Sequence, residues 1–188
     1  MRSPPASHLH HHPRAMDLFP DGAYVRLRSG WHETYLHADE DGVGVSLRTR
    51  ARGPAANGVW RVHRVQRRGI DYVLLHGAAY GRYLALSPRG KWGPSECVSF
   101  RVVQRGLDNP EQDAIMWSPK DGGRGYVLMS HLINGLLRAN GRLWNADAVS
   151  VDYYFGTLTN MRQWRVEFFQ RQWRVEVVQP TPQGPPPL

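Results

Sequence analysis

Side chains able to do covalent or acid–base chemistry are scattered along this sequence. No GxSxG elbow, phosphate-binding P-loop, HExxH helix or CxxC pair occurs in its 188 residues. That removes the short motifs on which many hydrolases, nucleotide-binding proteins and zinc enzymes rely. His32, His37, His63, His76 and His131 fall one to a strand or turn, none beside a carboxylate at a spacing that implies a triad. They read as ordinary surface or half-buried side chains. Asp39-Glu40-Asp41-Gly42 concentrates carboxylates, but without the alternating spacing of a calcium loop it reads as a hairpin turn. The tract His8, His10, His11 and His12 lacks rigid spacing and carboxylate support, so any metal it holds is adventitious. Cys97, the single cysteine, has no neighbouring cation to activate it and reads as a small buried apolar residue. The expectation is a protein without catalytic residues, metal or cofactor, and not an enzyme.

Binding chemistry is better represented. The formal net charge is +8, and only Lys91 and Lys120 are lysines among 24 basic residues. This arginine excess suits an acidic partner, and it equally suits a dispersed, solvated surface whose bias comes from base composition. Arg26, Arg28, Arg48, Arg50 and Arg52 alternate so that several share one strand face, the arrangement a polyanion binder uses. Of the tryptophans, Trp60 and Trp164 fit a core. Trp31, Trp92 and Trp144 fall in turns or loops, where an indole stacks on a sugar, anchors a protein partner or caps a small barrel. The candidate binding residues are therefore Arg26, Arg28, Trp31, Arg48, Arg50, Trp92 and Trp144.

The elements that must position these residues are strands. Nineteen glycines and 14 prolines signal many turns. Asp21-Gly22, Asp41-Gly42, Asn57-Gly58, Asp121-Gly122, Asn134-Gly135 and Asn140-Gly141 are dipeptides that supply positive φ in tight hairpins. They flank short alternating runs, and no long apolar stripe of helical period intervenes. Residues 1–16 mix Pro, Ser and His and read as a disordered leader, with Met16 an alternative start, and 179–188 read as a Pro-rich tail. No run reaches membrane-spanning length and no secretory h-region is seen, so a cytoplasmic site, cytoskeletal or nuclear, is expected.

One pattern recurs three times. Tyr24-Val25-Arg26-Leu27-Arg28-Ser29 reaches Tyr35-Leu36 six residues on, and Tyr72-Val73-Leu74-Leu75-His76-Gly77 reaches Tyr83-Leu84 at the same offset. Gly125-Tyr126-Val127-Leu128-Met129-Ser130 likewise reaches Leu136-Leu137. Each unit is read as closing on an aromatic-Arg-Val triplet: Trp60-Arg61-Val62, Phe100-Arg101-Val102 and Trp164-Arg165-Val166. Such a triplet sends the aromatic ring and Val to one face of a strand and Arg to the other. The core positions expected are Leu27, Tyr35, Leu36, Trp60, Val62, Leu75, Tyr83, Leu84, Phe100, Val102, Leu128, Leu136, Leu137, Trp164 and Val166. Each unit has room for about four strands. Closing three around a pseudo-threefold axis removes their edges, so an all-β single β-trefoil is expected over 17–178. The repeats are placed at about 21–66, 70–108 and 113–169. Arg171-Gln172-Trp173-Arg174-Val175-Glu176 duplicates Arg162-Gln163-Trp164-Arg165-Val166-Glu167. The first copy is assigned the closing strand, and 170–178 an extra strand or extension.

With "VRLRS", Gly81-Arg82-Tyr83-Leu84 and the Trp-Arg-Val closures, the chain resembles the fascin-like actin-crosslinking β-trefoils. It resembles more closely the plant family catalogued as domain of unknown function 569. Repeat one departs with Glu33-Thr34-Tyr35-Leu36 and repeat three with Asn134-Gly135-Leu136-Leu137. The resemblance implies a non-enzymatic interaction module with a protein partner, F-actin. The alternatives are a lectin-like trefoil, using turn aromatics with Asp39 or Asn140, and an arginine-mediated polyanion binder. The Gln-x-Trp repeats of ricin-type trefoils and the disulfides of Kunitz-type inhibitors are absent. Oligomeric state is not legible in the sequence.

Overall fold

Along Tyr24–Ser29 alternation sends Val25, Leu27 and Ser29 inward, leaving Arg26 and Arg28 half-buried on the outer face. Eleven further strands follow among the described residues. The computed structural model describes residues 14–50, 55–93, 97–107, 111–132, 135–140, 149–154 and 168–179. Repeat one holds β1 (Tyr24–Ser29), β2 (Tyr35–Ala38), β3 (Val45–Arg48) and β4 (Trp60–Arg67). Repeat two holds β5 (Ile70–Gly77), β6 (Tyr83–Gly93), β7 (Cys97–Arg105) and β8 (Trp117–Asp121). Repeat three holds β9 (Val127–His131), β10 (Gly135–Ala139), β11 (Val149–Tyr154) and β12 (Trp173–Val178).

Antiparallel pairing runs β1–β4–β5–β8–β9–β12 and returns to β1, closing a six-stranded barrel with no free edge. The hairpins β2–β3, β6–β7 and β10–β11 complete the trefoil. Their register is threefold. Val25 pairs with Trp60, Val73 with Trp117 and Val127 with Trp173. On the other side the same indoles pair with Gly77, His131 and Ser29. Each buried indole N–H then donates to the first inward carbonyl of its own repeat's second strand: Trp60 to Leu36 (3.3 Å), Trp117 to Leu84 (2.9 Å) and Trp173 to Leu137 (3.0 Å). Three tryptophans, one per repeat, thus plug the barrel and satisfy their only donor there.

This corrects several expectations. Trp164 and Val166 lie outside the described residues, and the closing-strand position belongs to the second copy, through Trp173 and Val175. Phe100-Arg101-Val102 lies in β7, the third strand of repeat two. Val102 is buried there and Phe100 half-buried, while the closing strand of that repeat is β8, led by Trp117. The second unit therefore extends to Asp121, beyond the expected 108, and the third to Val178. In β9 the inward position is Met129, with Leu128 turned out, a one-residue difference that moves each side chain to the opposite face. Tyr35, Tyr83 and Leu136 are half-buried, facing away from Leu36, Leu84 and Leu137 in the core. The leader reading fails at its end. Ala15–Leu18 form a 3-10 turn, Ala15 and Met16 pack against the core, and Phe19 is buried. Residues 1–13 and 180–188 lie outside the described residues, as do Arg52 and Trp144.

A second apolar cluster packs outside the first, beside the eight-residue strands β4 and β5. Tyr72 and Leu74 on the outer face of β5 pack with Ala85, Val103, Ile115 and Met116. The 3-10 turn Glu111–Ile115 is tied over them by the Arg67–Asp113 ion pair.

Candidate functional site

Just beyond the Ser29–Trp173 end of the β12–β1 pairing stands an exposed aromatic pair. Trp31, in the β1–β2 turn, is 47% exposed and stacks on Phe169, 40% exposed, with centroids 6.0 Å apart and planes 14° apart. Both rings stand on rigid supports. The Trp31 turn is closed by the Ser29 N–H on the Thr34 carbonyl (2.8 Å) and the Glu33 N–H on the Ser29 carbonyl (3.0 Å). Glu33 there adopts φ 55°, where repeat two uses Gly81 at φ 63°. A side chain in this left-handed region costs about 1–2 kcal/mol. Arg28 pairs with Glu33 at 3.0 Å.

Phe169 stands on a turn held from beneath by a buried polar frame. The Ala139 N–H donates to the Gln170 carbonyl (2.9 Å), and Arg138 Nε donates to Gln170 Oε1 (2.9 Å). Asp152, buried, accepts from Arg138 (3.0 Å) and Ser99 (2.8 Å), and Arg171 stands 3.8 Å from it. A buried charge with partners on several elements fixes their mutual geometry more than it adds stability.

The surround carries charge of both signs. Arg174, exposed on β12, lies 5.0 Å over the Tyr126 ring. Tyr126 in turn abuts Gly30, where a Cβ would stand 2.8 Å from its ring, so only glycine admits the ring at this distance. The Tyr35 hydroxyl donates to Glu176 at 3.2 Å. Partial burial and the adjacent Glu176 carboxylate hold that phenol above its ordinary value. Arg26 faces Glu176 and Arg28 faces Arg174 across the β1–β12 pairing.

The structure sets Trp31 against Phe169, with Arg28 tied to the same turn through Glu33, while Arg26 lies further along β1 opposite Glu176; Tyr126, Phe169 and Arg174 are residues that sequence reasoning missed. Those three come from the third repeat, and only the closure of β12 on β1 brings them near Trp31. Arg48 is engaged elsewhere, at 3.3 Å from Asp39, and Arg50 is exposed just beyond β3. Trp92 lies within β6 rather than a loop, opposite Val98, and its side chain, like that of Cys97, is outside the described residues. Asp39 and Asn140 are committed within their own hairpins. Asp39 accepts from Ser46 and Arg48, and Asn140 donates to Ser150. Burial works against ionising Asp39, but His37, Ser46 and Arg48 outweigh it and hold the carboxyl below its usual range. Asp41 serves the turn itself, accepting the Val43 and Gly44 N–H groups (2.8 and 2.7 Å), with Gly42 at φ 69°.

Residues 16–164 match the family described as "Beta-trefoil domain of unknown function (DUF569)". The chain belongs to this family. No curated protein matches the DUF569 chain. Among solved structures, a designed threefold-symmetric protein, ThreeFoil, aligns with TM-score 0.57 at 19% identity, over 82% of this chain and 98% of its own. The Macrolepiota procera ricin B-like lectin, solved with lactose, aligns with TM-score 0.55 at 12% identity, over 83% and 96%. The Polyporus squamosus lectin, bound to a human-type influenza-binding epitope, aligns with TM-score 0.57 at 14% identity, over 85% and 50%. Likeness at these identities is likeness of fold.

Proposed function

We propose that this DUF569 domain is a non-enzymatic binding module that presents the β12–β1 seam to an acidic protein partner in the cytoplasm. The observation that carries the reading is the Trp31–Phe169 stack, exposed yet held from below. Exposed aromatic rings with arginine nearby have the composition in which protein–protein contact energies are concentrated. Arg26, Arg28 and Arg174 set the charge preference. The resemblance to fascin-like trefoils makes F-actin, or a cytoskeletal or nuclear assembly containing it, the first partner to test. Saturable co-sedimentation with actin filaments at low salt is the expected result. A protein left wholly in the supernatant removes actin as the partner.

A second reading, carbohydrate binding, rests on the same stack, because an exposed indole face also takes the apolar face of a sugar ring. Two lectins share the fold. The polar residues first expected to hold hydroxyls, Asp39 and Asn140, are already engaged, which supports the protein reading over this one. A glycan array without signal removes the sugar reading.

A further inference from the structure

The threefold register gives the β12–β1–β2 seam two counterparts. Tyr35, Arg28 and Glu176 occupy the positions that Tyr83, His76 and His63 occupy on β6, β5 and β4, and that Leu136, Ser130 and Lys120 occupy in the third seam. The hydrogen bond is kept in the first two. The Tyr35 hydroxyl meets the Glu176 carboxylate, and the Tyr83 hydroxyl meets His63 Nδ1 at 3.1 Å. The sign of the central charge is not kept. In the first seam a carboxylate sits between a phenol and an arginine. In the second, two imidazoles stack with centroids 5.5 Å apart and planes 18° apart, and Tyr83 stands edge-on to both.

We propose that the β4–β5–β6 seam is a second binding site, for an oxyanion of phosphate or sulfate size held by His63, His76 and Arg61. Arg61 lies directly opposite His76 in the β4–β5 register and is exposed. Arg105 stands opposite Tyr83 on β7, and Arg82, in the adjoining turn, reaches across to the Gly42 carbonyl. From the segment before β1 comes Asp21, whose carboxylate favours the charged form of His63 but already accepts the Arg64 N–H at 2.8 Å. The groups facing the imidazole pair are thus mostly cationic, and an entering oxyanion supplies the negative charge that Glu176 supplies in the first seam. His63 Nδ1 meets the Tyr83 hydroxyl, and among the described residues the other ring nitrogens of the pair make no hydrogen bond, which leaves them, once protonated, to donate to separate oxygens of one anion. Burial, then the neighbouring His76 and Arg61, hold His63 below its ordinary value. Anion and protons therefore bind together, and affinity rises in acid. The site is separate from the Trp31 surface and stands or falls independently of it.

The test is an imidazole-resolved NMR titration of the full chain with inorganic phosphate, at about pH 5.5 and about pH 7.5. Saturable shifts of the His63 and His76 ring resonances are expected, with His131 unmoved. The expected affinity is at least about tenfold tighter at the lower pH and lost in His63→Gln/His76→Gln. An unchanged urea midpoint at neutral pH shows that this variant folds. A parallel titration with phenyl phosphate separates sources: equal affinity assigns the site to the free ion, and tighter binding to an organic phosphate. Phosphate that leaves both rings unmoved in acid, or binds the double variant as well as the native chain, overturns the proposal.

Discussion

The indole N–H of Trp173 donates to the Leu137 carbonyl across 3.0 Å, as Trp60 does to Leu36 and Trp117 to Leu84. This contact closes the barrel with residues beyond the family match, which ends at 164. Trp173→Phe keeps most of the ring volume and leaves that carbonyl without its donor, so it costs about 1–3 kcal/mol. Trp173→Ala adds a cavity and costs about 3–5 kcal/mol. Urea midpoints measure both, and an Ala variant as stable as the native chain would return the closing position to another segment.

The register of the third repeat is tested by neighbours. Met129 is fully buried and Leu128 half-buried on the outer face. Met129→Ala costs about 2–5 kcal/mol by the usual measure of core truncation. Leu128→Ala costs a fraction of that. The opposite ranking in chemical denaturation would restore the shifted alignment.

His131 and Tyr153 give stability a pH window. With the Asp113 carbonyl at 2.8 Å from Nε2, the neutral ring carries its proton there and accepts the Tyr153 hydroxyl at Nδ1 (3.0 Å). Burial pushes His131 down to about 4 and Tyr153 up to about 12. The neutral imidazole's contribution is present above about pH 6.5 and is lost as pH falls to about 4, a change on the order of 3 kcal/mol. The phenol contributes below about pH 10 and that contribution is lost as pH rises toward 12. Denaturation midpoints across pH should show both flanks, and His131→Phe should flatten the acid one.

Much of this fold was legible in the sequence, because a threefold repeat with turn dipeptides between alternating runs leaves few alternatives to a closed trefoil. Its phase was harder to read. Phe100-Arg101-Val102 imitates a closing strand, since any half-buried strand alternates apolar and charged residues. Trp117-Ser118-Pro119 conceals one by lacking the Arg and Val. In β9 two adjacent long apolar residues, Leu128 and Met129, satisfy the spacing equally well, and only the pairing of Val127 with Trp173 selects between them. The duplicated RQWRVE segment offers two identical candidates for one position. The site was half legible. Trp31, Arg26 and Arg28 lie on one hairpin, whereas Phe169, Tyr126 and Arg174 reach them through barrel closure, which leaves no local signature.

The β12–β1 seam as the partner-binding face is tested most directly by the affinity of Trp31→Ala for actin filaments in co-sedimentation, beside Ile70→Ala, which alters an exposed side chain at the far β4–β5 turn. Truncating an aromatic hot spot costs about 2 kcal/mol or more. The expected result is at least about thirtyfold weaker binding for Trp31→Ala and native affinity for Ile70→Ala. Equal affinity of Trp31→Ala and the native chain would contradict it.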